Sequence, residues 1–313
     1  MSAREFEFDL YRLVIKDRED DLFADQKNSF SGDADILRVF EHITSEDFDE
    51  ITETPNSKFK WSSRSYIHFE SADSDPGITC FTLARSALEQ TGPVVNKDSI
   101  TVERIQQEQS IANIVRIIFH IKRHLVAIEH NSSILSSNKW LSVLHLQLDK
   151  ACDSLGFRNQ LRLEPKPKND EVMKIFNSFS HLTRFRAHLR LPNPEVDRHA
   201  KKLFDEMTSA KIRDFLLDIR NANGLNVEAG SFANSAARLV EAGYKDGSAT
   251  LEGYKDGKKT KVQTGKKAAR GRIARLKDFI RGQETIAKTQ EARIVLSAII
   301  SEIDIISPPT DTS

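Results

Sequence analysis

The chain has 313 residues, with 46 Lys/Arg balanced by 46 Asp/Glu to a formal net charge of zero, and that length holds one large or two ordinary domains with a full core. Two cysteines, Cys80 and Cys152, with no CxxC pair exclude a disulfide framework and a zinc ligand set. No apolar run reaches the roughly 18 residues of a membrane span, and the opening MSAREFEFDLYR lacks the apolar centre of a signal peptide. A cytoplasmic protein with no membrane partner is the expectation.

In chain order, Glu5–Lys16 alternates apolar and polar residues, the period of a half-buried strand. Asp17 to Glu53 then carries thirteen acids against Arg18, Lys27 and Arg38, with a short helix predicted over Asp33–Ile43. Lys58–Phe69 and Ile78–Arg85 form a strand pair around the turn signal SADSDPG, and Gly92-Pro93 is expected to break the chain. A strand at Ile100–Ile105 and a hairpin over Ile114–Ile128 around Lys122-Arg123 follow.

Ser137–Leu155 has apolar residues at Leu141, Leu144, Leu148 and Cys152, the spacing of an amphipathic helix closed by Gly156. Strand Gln160–Leu163, helix Asp170–Phe179 and strand Arg184–Leu191 complete a strand-helix-strand-helix-strand order over Val115–Leu191, which points to a ferredoxin-like unit. Pro194 suits the first turn of a long helix reaching about Asn221.

The pentapeptide GYKDG occurs twice, from Gly243 and from Gly253. Two copies are too few for a solenoid. The flanking segments Arg238–Tyr244, Ser248–Tyr254 and Thr260–Gln263 instead predict a three-stranded meander with turns at Lys245–Gly247 and Lys255–Gly257. A basic helix is expected from Lys266 to Arg281, while Arg293–Ile306 fits strand or helix. The whole predicts an α+β protein in three parts: a mixed, antiparallel-sheet region with the acidic segment over 1–110, a ferredoxin-like unit with the long helix over 111–225, and a β-meander with basic helix and tail over 226–313.

Charge supplies the functional candidates. From Lys255 to Lys288 there are twelve Lys/Arg against Asp256, Asp278 and Glu284, a local excess of nine. Such a run serves either as a solvated face or as a phosphate contact that releases counterions. Lys258, Lys259, Lys261, Lys266, Lys267, Arg270 and Arg272 form one candidate contact set. Arg184, Arg186 and Arg190 form another, because with His188 they alternate onto one sheet face. Thr264-Gly265-Lys266-Lys267 lacks the first glycine and the Ser/Thr of a P-loop.

Other chemistry has weaker signatures. The triplets His42-Ile43-Thr44 and His181-Leu182-Thr183 would serve a phosphodiesterase if they faced one another. His120 and His124, or the acids at Asp33, Asp35 and Asp47–Glu50, are the metal alternatives. None has a defined ligand or nucleophile pattern, so no catalytic residue, metal or cofactor is assigned. A third reading is a protein-interaction module in which the basic run docks on an acidic partner, the chain's own Asp17–Glu53 segment included.

The segment RSYIHFESADSDPGITCFTLARSALEQTGP, with Phe81-Thr-Leu-Ala84-Arg85-Ser86, resembles the strand-loop-strand ending in Phe-x-x-Ala-Arg-Ser/Thr of the phage lambda RexA-type exclusion proteins. Lys166-Pro167-Lys168 before a helix is similar to a second element of that family. The resemblance implies a prophage-borne or bacterial protein of abortive infection. Such a protein binds DNA without strong sequence preference, works as a homodimer, and answers a phage protein or replication intermediate. It implies no catalytic residues.

Overall fold

The computed structural model describes residues 5–17, 28–53, 59–70, 77–95, 100–168, 171–190, 201–210, 212, 214–273 and 289–309, with backbone alone for 88–95 and 100–111. Among these the elements are β1 (Phe6–Asp17), α1 (Asp33–Thr44), β2 (Ile51–Thr52), β3 (Phe59–Phe69), β4 (Ile78–Val95), β5 (Ile100–His120), β6 (Leu125–Glu129), α2 (Ser132–Leu135), α3 (Lys139–Ser154), β7 (Asn159–Pro165), α4 (Glu171–Asn177), β8 (His181–Arg190), α5 (Lys201–Ser209), β9 (Asp214–Arg220), α6 (Phe232–Glu241), β10 (Ala249–Lys255), β11 (Lys258–Thr264), β12 (Ala269–Ile273) and α7 (Gln290–Ile306). The class is α+β, with antiparallel strand pairing throughout two sheets and a β-rich amino-terminal region.

The larger sheet runs β12-β1-β6-β5-β4-β3-β2, and β7 takes up the edge of β1 beyond the stretch that β12 pairs. Both of its faces are covered. Phe6, Phe8 and Leu10 of β1, with Cys80 and Ile118, pack under Leu296, Ile299 and Ile303 of α7. Leu13, Phe81, Val115 and Phe119 face the other way, against Phe40 of α1 and Leu144 and Leu148 of α3. The ring of Phe40 stands 5.4 Å from Phe81 and 5.3 Å from Phe119, centroid to centroid. Each such side chain removed from water contributes about 1.5–3 kcal/mol.

The smaller sheet runs β11-β10-β8-β9. Phe185, Ala187 and Leu189 of β8 and Leu251 of β10 pack against Phe176 of α4, Leu203 of α5 and Ala236 and Val240 of α6. That accounts for one face only.

Several predicted elements are placed differently. The middle unit does not close as one ferredoxin-like sheet, because β5, β6 and β7 join the larger sheet while β8 pairs with β10 and β9. Of the long helix expected from Pro194, residues 194–200, 211 and 213 lie outside the described residues, α5 is helical, and Asp214–Arg220 is β9, drawn into seven-residue pairing with β8. Arg238–Tyr244 is the end of α6 and its exit, so the meander has two strands, β10 and β11, instead of three. In the predicted basic helix, residues 266–268 are an irregular connection, Ala269–Ile273 is strand β12, and residues 274–281 lie outside the described residues. Strand pairing continues through Gly92 and Pro93 as far as Val95↔Ile100. The stretch Arg293–Ile306 resolves as helix α7.

Candidate nucleic-acid interface

The second face of the smaller sheet follows from the strand period of two. With Phe185, Ala187 and Leu189 turned inward, Arg184, Arg186, His188 and Arg190 turn outward. Cross-strand register extends this face: Lys261, Glu252, Arg184 and Arg220 form one row over four strands, and Gln263, Thr250, Arg186 and Asp218 form the next. No helix or loop of the described residues packs on it through a hydrophobic cluster.

Two carboxylates organise these cations. Asp218 accepts from Arg184 Nε and Nη2, both at 2.8 Å, and from Arg220 Nε and Nη2 at 3.2 and 2.9 Å. The bonds from Arg184, then those from Arg220, hold the Asp218 carboxyl well below the usual carboxylate range. Glu252 pairs with Lys261 at 3.0 Å and Arg184 at 3.2 Å, and the Lys261 bond is the main cause of its lowered pKa. Five cations, Lys259, Lys261, Arg184, Arg186 and Arg220, therefore surround Glu252 and Asp218, while at the far end of the face Asp214 and Asp246 pair with His188 and Arg190. Arg186 and Lys259 are exposed, and no ion pair or hydrogen bond among the described residues engages either side chain.

One end of the face carries rings. Between Glu252 and Gly253 the pairing with β8 slips by one residue at Thr183, a bulge that returns His181 to the side of Tyr254. Their ring centroids lie 6.1 Å apart. Tyr254 is 43% exposed, and Lys259 is its direct partner on β11. Gly253 permits the approach, since a Cβ there would collide with the backbone carbonyl of His181. The hairpin beyond turns through Asp256 (φ 50) and Gly257 (φ 74), a two-residue loop in place of the expected three.

The predicted basic residues therefore divide. Lys259, Lys261, Arg184 and Arg186 come together from the two candidate sets. Lys258 has the opposite parity, with Thr260 and Val262, at the hairpin tip. Lys266 and Lys267 lie exposed in the connection to β12, with Lys266 Nζ donating to Gln263 at 2.7 Å. Arg270 and Arg272 belong to the other sheet, opposite Asp9 and Glu7 on β1. There Arg270 pairs with Asp9 at 2.8 Å and Arg272 with Glu7 at 3.1 Å. Arg190 is buried, bonded to Asp214 at 3.0 Å and Asp246 at 2.7 Å.

Arg190 belongs to a seam between the sheets. Lys245, buried in the loop before β10, lies 4.0 Å from Glu164 of β7, and its amine donates to the Gly247 carbonyl at 2.6 Å. Burial pushes the Glu164 carboxyl up to about 7, with Lys245 opposing, and lowers the Lys245 amine. Arg12 of β1 crosses the same seam, its Nη1 donating to Tyr244 Oη at 2.9 Å and its Nε to the Ala242 carbonyl. Thus the first GYKDG copy is buried at Tyr244 and Lys245, while the second presents Tyr254 to solvent.

The alternative chemistries do not assemble. His42 lies on α1 with its ring 5.5 Å from Phe48, and Thr44 donates to the Phe40 carbonyl of its own helix. His181, on the other sheet, is within 3.1 Å of the Ala222 carbonyl, and Thr183 donates to the Glu252 carbonyl. His124 pairs with Asp33 at 2.8 Å, whereas burial lowers His120 to about 4. Among the described residues no group of three or more His, Cys, Asp or Glu could hold a metal ion. Glu53 pairs with Arg85 and Lys139, and Glu50 with Lys60, all within the larger sheet's surroundings.

The profile of a family described as Domain of unknown function (DUF4747) matches residues 63–282, well over half of the chain and all of the smaller sheet. The chain belongs to the DUF4747 family. A search of curated proteins found no match. The DUF4747 match takes in every residue of the open face, from His181 to Gln263, while β1 and α7 lie outside it. Within it, the residues that carry the RexA-type resemblance have packing roles. Phe81 is buried, Arg85 stacks on Phe59 at 3.7 Å, and buried Lys166 donates to the Glu241 carbonyl.

Sequence reasoning passed over Arg220 and Tyr254. Arg220 joins the face only if Asp214–Arg220 is a strand, and the alternation of DFLLDIR was the available signal. Tyr254 was visible as the residue that alternates with Glu252 and Thr250 on the outward side of β10. No helix of the described residues is long and apolar enough to cross a membrane.

Proposed function

We propose that this chain binds nucleic acid through backbone contacts on the open face of the smaller sheet. The observation that carries the reading is the convergence of Lys259, Lys261, Arg184, Arg186 and Arg220 on a face left open among the described residues, where Glu252 and Asp218 stand between them and Asp214 and Asp246 are taken up by His188 and Arg190. An uncovered antiparallel face is ordinarily polar. Here it has one sign in excess, and the salt-bridged guanidiniums are fixed in place before a ligand arrives, which lowers the ordering cost of binding. Phosphate contacts position a strand without reading bases, so sequence preference is low. The RexA-type resemblance adds a setting for that chemistry, namely action on infecting DNA by a homodimer during phage exclusion.

The test is binding of a labelled random-sequence oligonucleotide over a salt series. Affinity should fall with salt at a log-log slope of roughly −2 to −4, as expected for three to five phosphates. Affinity independent of salt, or no binding at low salt, would overturn the reading.

A further inference from the structure

Resting on the backbone-binding reading above, we infer that the ligand of this face is an unpaired strand, with a base stacked on Tyr254. The cations lie on the side of an antiparallel sheet, whereas readers of duplex DNA insert a helix or a projecting ribbon into a groove. Sheet faces that combine an exposed ring with cations take single strands, because every base has a face to stack and no groove is needed.

Tyr254 is placed for that role. It stands on β10 next to the last strand residue before the Asp256-Gly257 turn, held in register by Lys259 on β11 and His181 on β8, and is 43% exposed although Gly253 and Leu251 of the same strand are buried. Three features fix the ring: the Thr183 bulge that brings His181 alongside, the absence of a side chain at Gly253, and the His181 ring held against the Ala222 carbonyl. Lys259 flanks it on β11, and the next two rows inward carry Lys261 with Arg184 and then Arg186. Successive rows are about 7 Å apart along the strands. A strand stacked at Tyr254 thus meets one or more cations at each step as it crosses toward Arg186. At the far end Leu216, 64% exposed, offers a second apolar contact on the same face.

The experiment compares single-stranded DNA, single-stranded RNA and duplex DNA of about 12 nucleotides, by fluorescence anisotropy, for the wild type, Tyr254→Ala, Tyr254→Phe and Lys259→Glu/Arg186→Glu. The expected result is tighter binding of single strands than of duplex, and loss of roughly ten-fold in affinity for Tyr254→Ala with the salt slope unchanged. Tyr254→Phe should restore binding, and the double charge reversal should weaken it while flattening the slope. If Tyr254→Ala binds single strands like the wild type while the charge reversal fails, stacking is wrong and the backbone reading survives. Tighter binding of duplex than of either single strand likewise overturns the inference. If neither substitution changes binding, or no oligonucleotide binds, both fall.

Discussion

The two sheets of this protein treat charge in opposite ways. In the larger one each face is roofed by helices, and the cations at its edge are matched by acids directly across the strand pair, Arg270 by Asp9 and Arg272 by Glu7. In the smaller one the helices of the described residues roof a single face, and the other carries five cations around Glu252 and Asp218. A basic residue is informative only when its neighbours leave its charge unanswered, and that is a property of pairing and register. The same contrast operates within the GYKDG repeat, where one lysine is buried at the seam and one tyrosine is open to solvent.

Neighbouring residues on β8 provide the strongest way to break this comparison. Phe185 is fully buried among the helices, whereas Arg186 is exposed on the bare face. Phe185→Ala should destabilise the fold by about 3–5 kcal/mol, and Arg186→Ala should leave stability within about 0.5 kcal/mol while weakening oligonucleotide binding. Urea denaturation of both variants decides it; comparable losses of stability would mean that the face is covered.

A second prediction concerns the seam. Burial raises the folded-state pKa of Glu164 from 4.5 to about 7, so the folded chain holds that proton more tightly than the unfolded one. Its contribution is full below pH 4.5, declines as pH rises toward 7, and is then constant. Compared with Glu164→Gln, the wild type should lose up to about 3 kcal/mol of stability across that window. Parallel urea midpoints for the two proteins at pH 5 and 7.5 would contradict the assignment of a desolvated carboxyl there.

The smallest effect is expected at the compensated edge. Arg270→Ala with Arg272→Ala removes three cross-strand ion pairs, to Asp9 and Glu7, and should cost about 1 kcal/mol in stability with no change in oligonucleotide affinity. Thermal melting together with anisotropy checks both halves.

Much of the fold was legible from local pattern. The alternation of β1, β3 and β8 and the helical spacing of α3 appear in the structure close to where they were expected. What failed depended on distant partners. DFLLDIR continues the helical texture of the preceding segment, yet pairing from Arg184↔Arg220 to Arg190↔Asp214 makes it a strand. ARGRI has the basic spacing of a helix, but its register with Phe6–Leu10 turns it into an edge strand. Pro93 could stay in a strand because only one edge of that stretch, the one facing Ile100–Gln106, is paired among the described residues. For the site, Arg184 and Arg186 were legible because alternation alone puts them outward. Arg190 shares that alternation, but Asp214 and Asp246 enclose it from separate segments, which no local pattern announces.

The most direct test of the account is a charge reversal on each sheet, measured side by side against a labelled single-stranded oligonucleotide across a salt series. With Lys259, Lys261, Arg186 and Arg220 all changed to Glu, affinity at low salt should fall by about a hundred-fold or more and the salt slope should collapse. With Arg270 and Arg272 changed to Glu, affinity and slope should match the wild type. Loss of binding at the compensated edge with retention at the bare face would contradict the account.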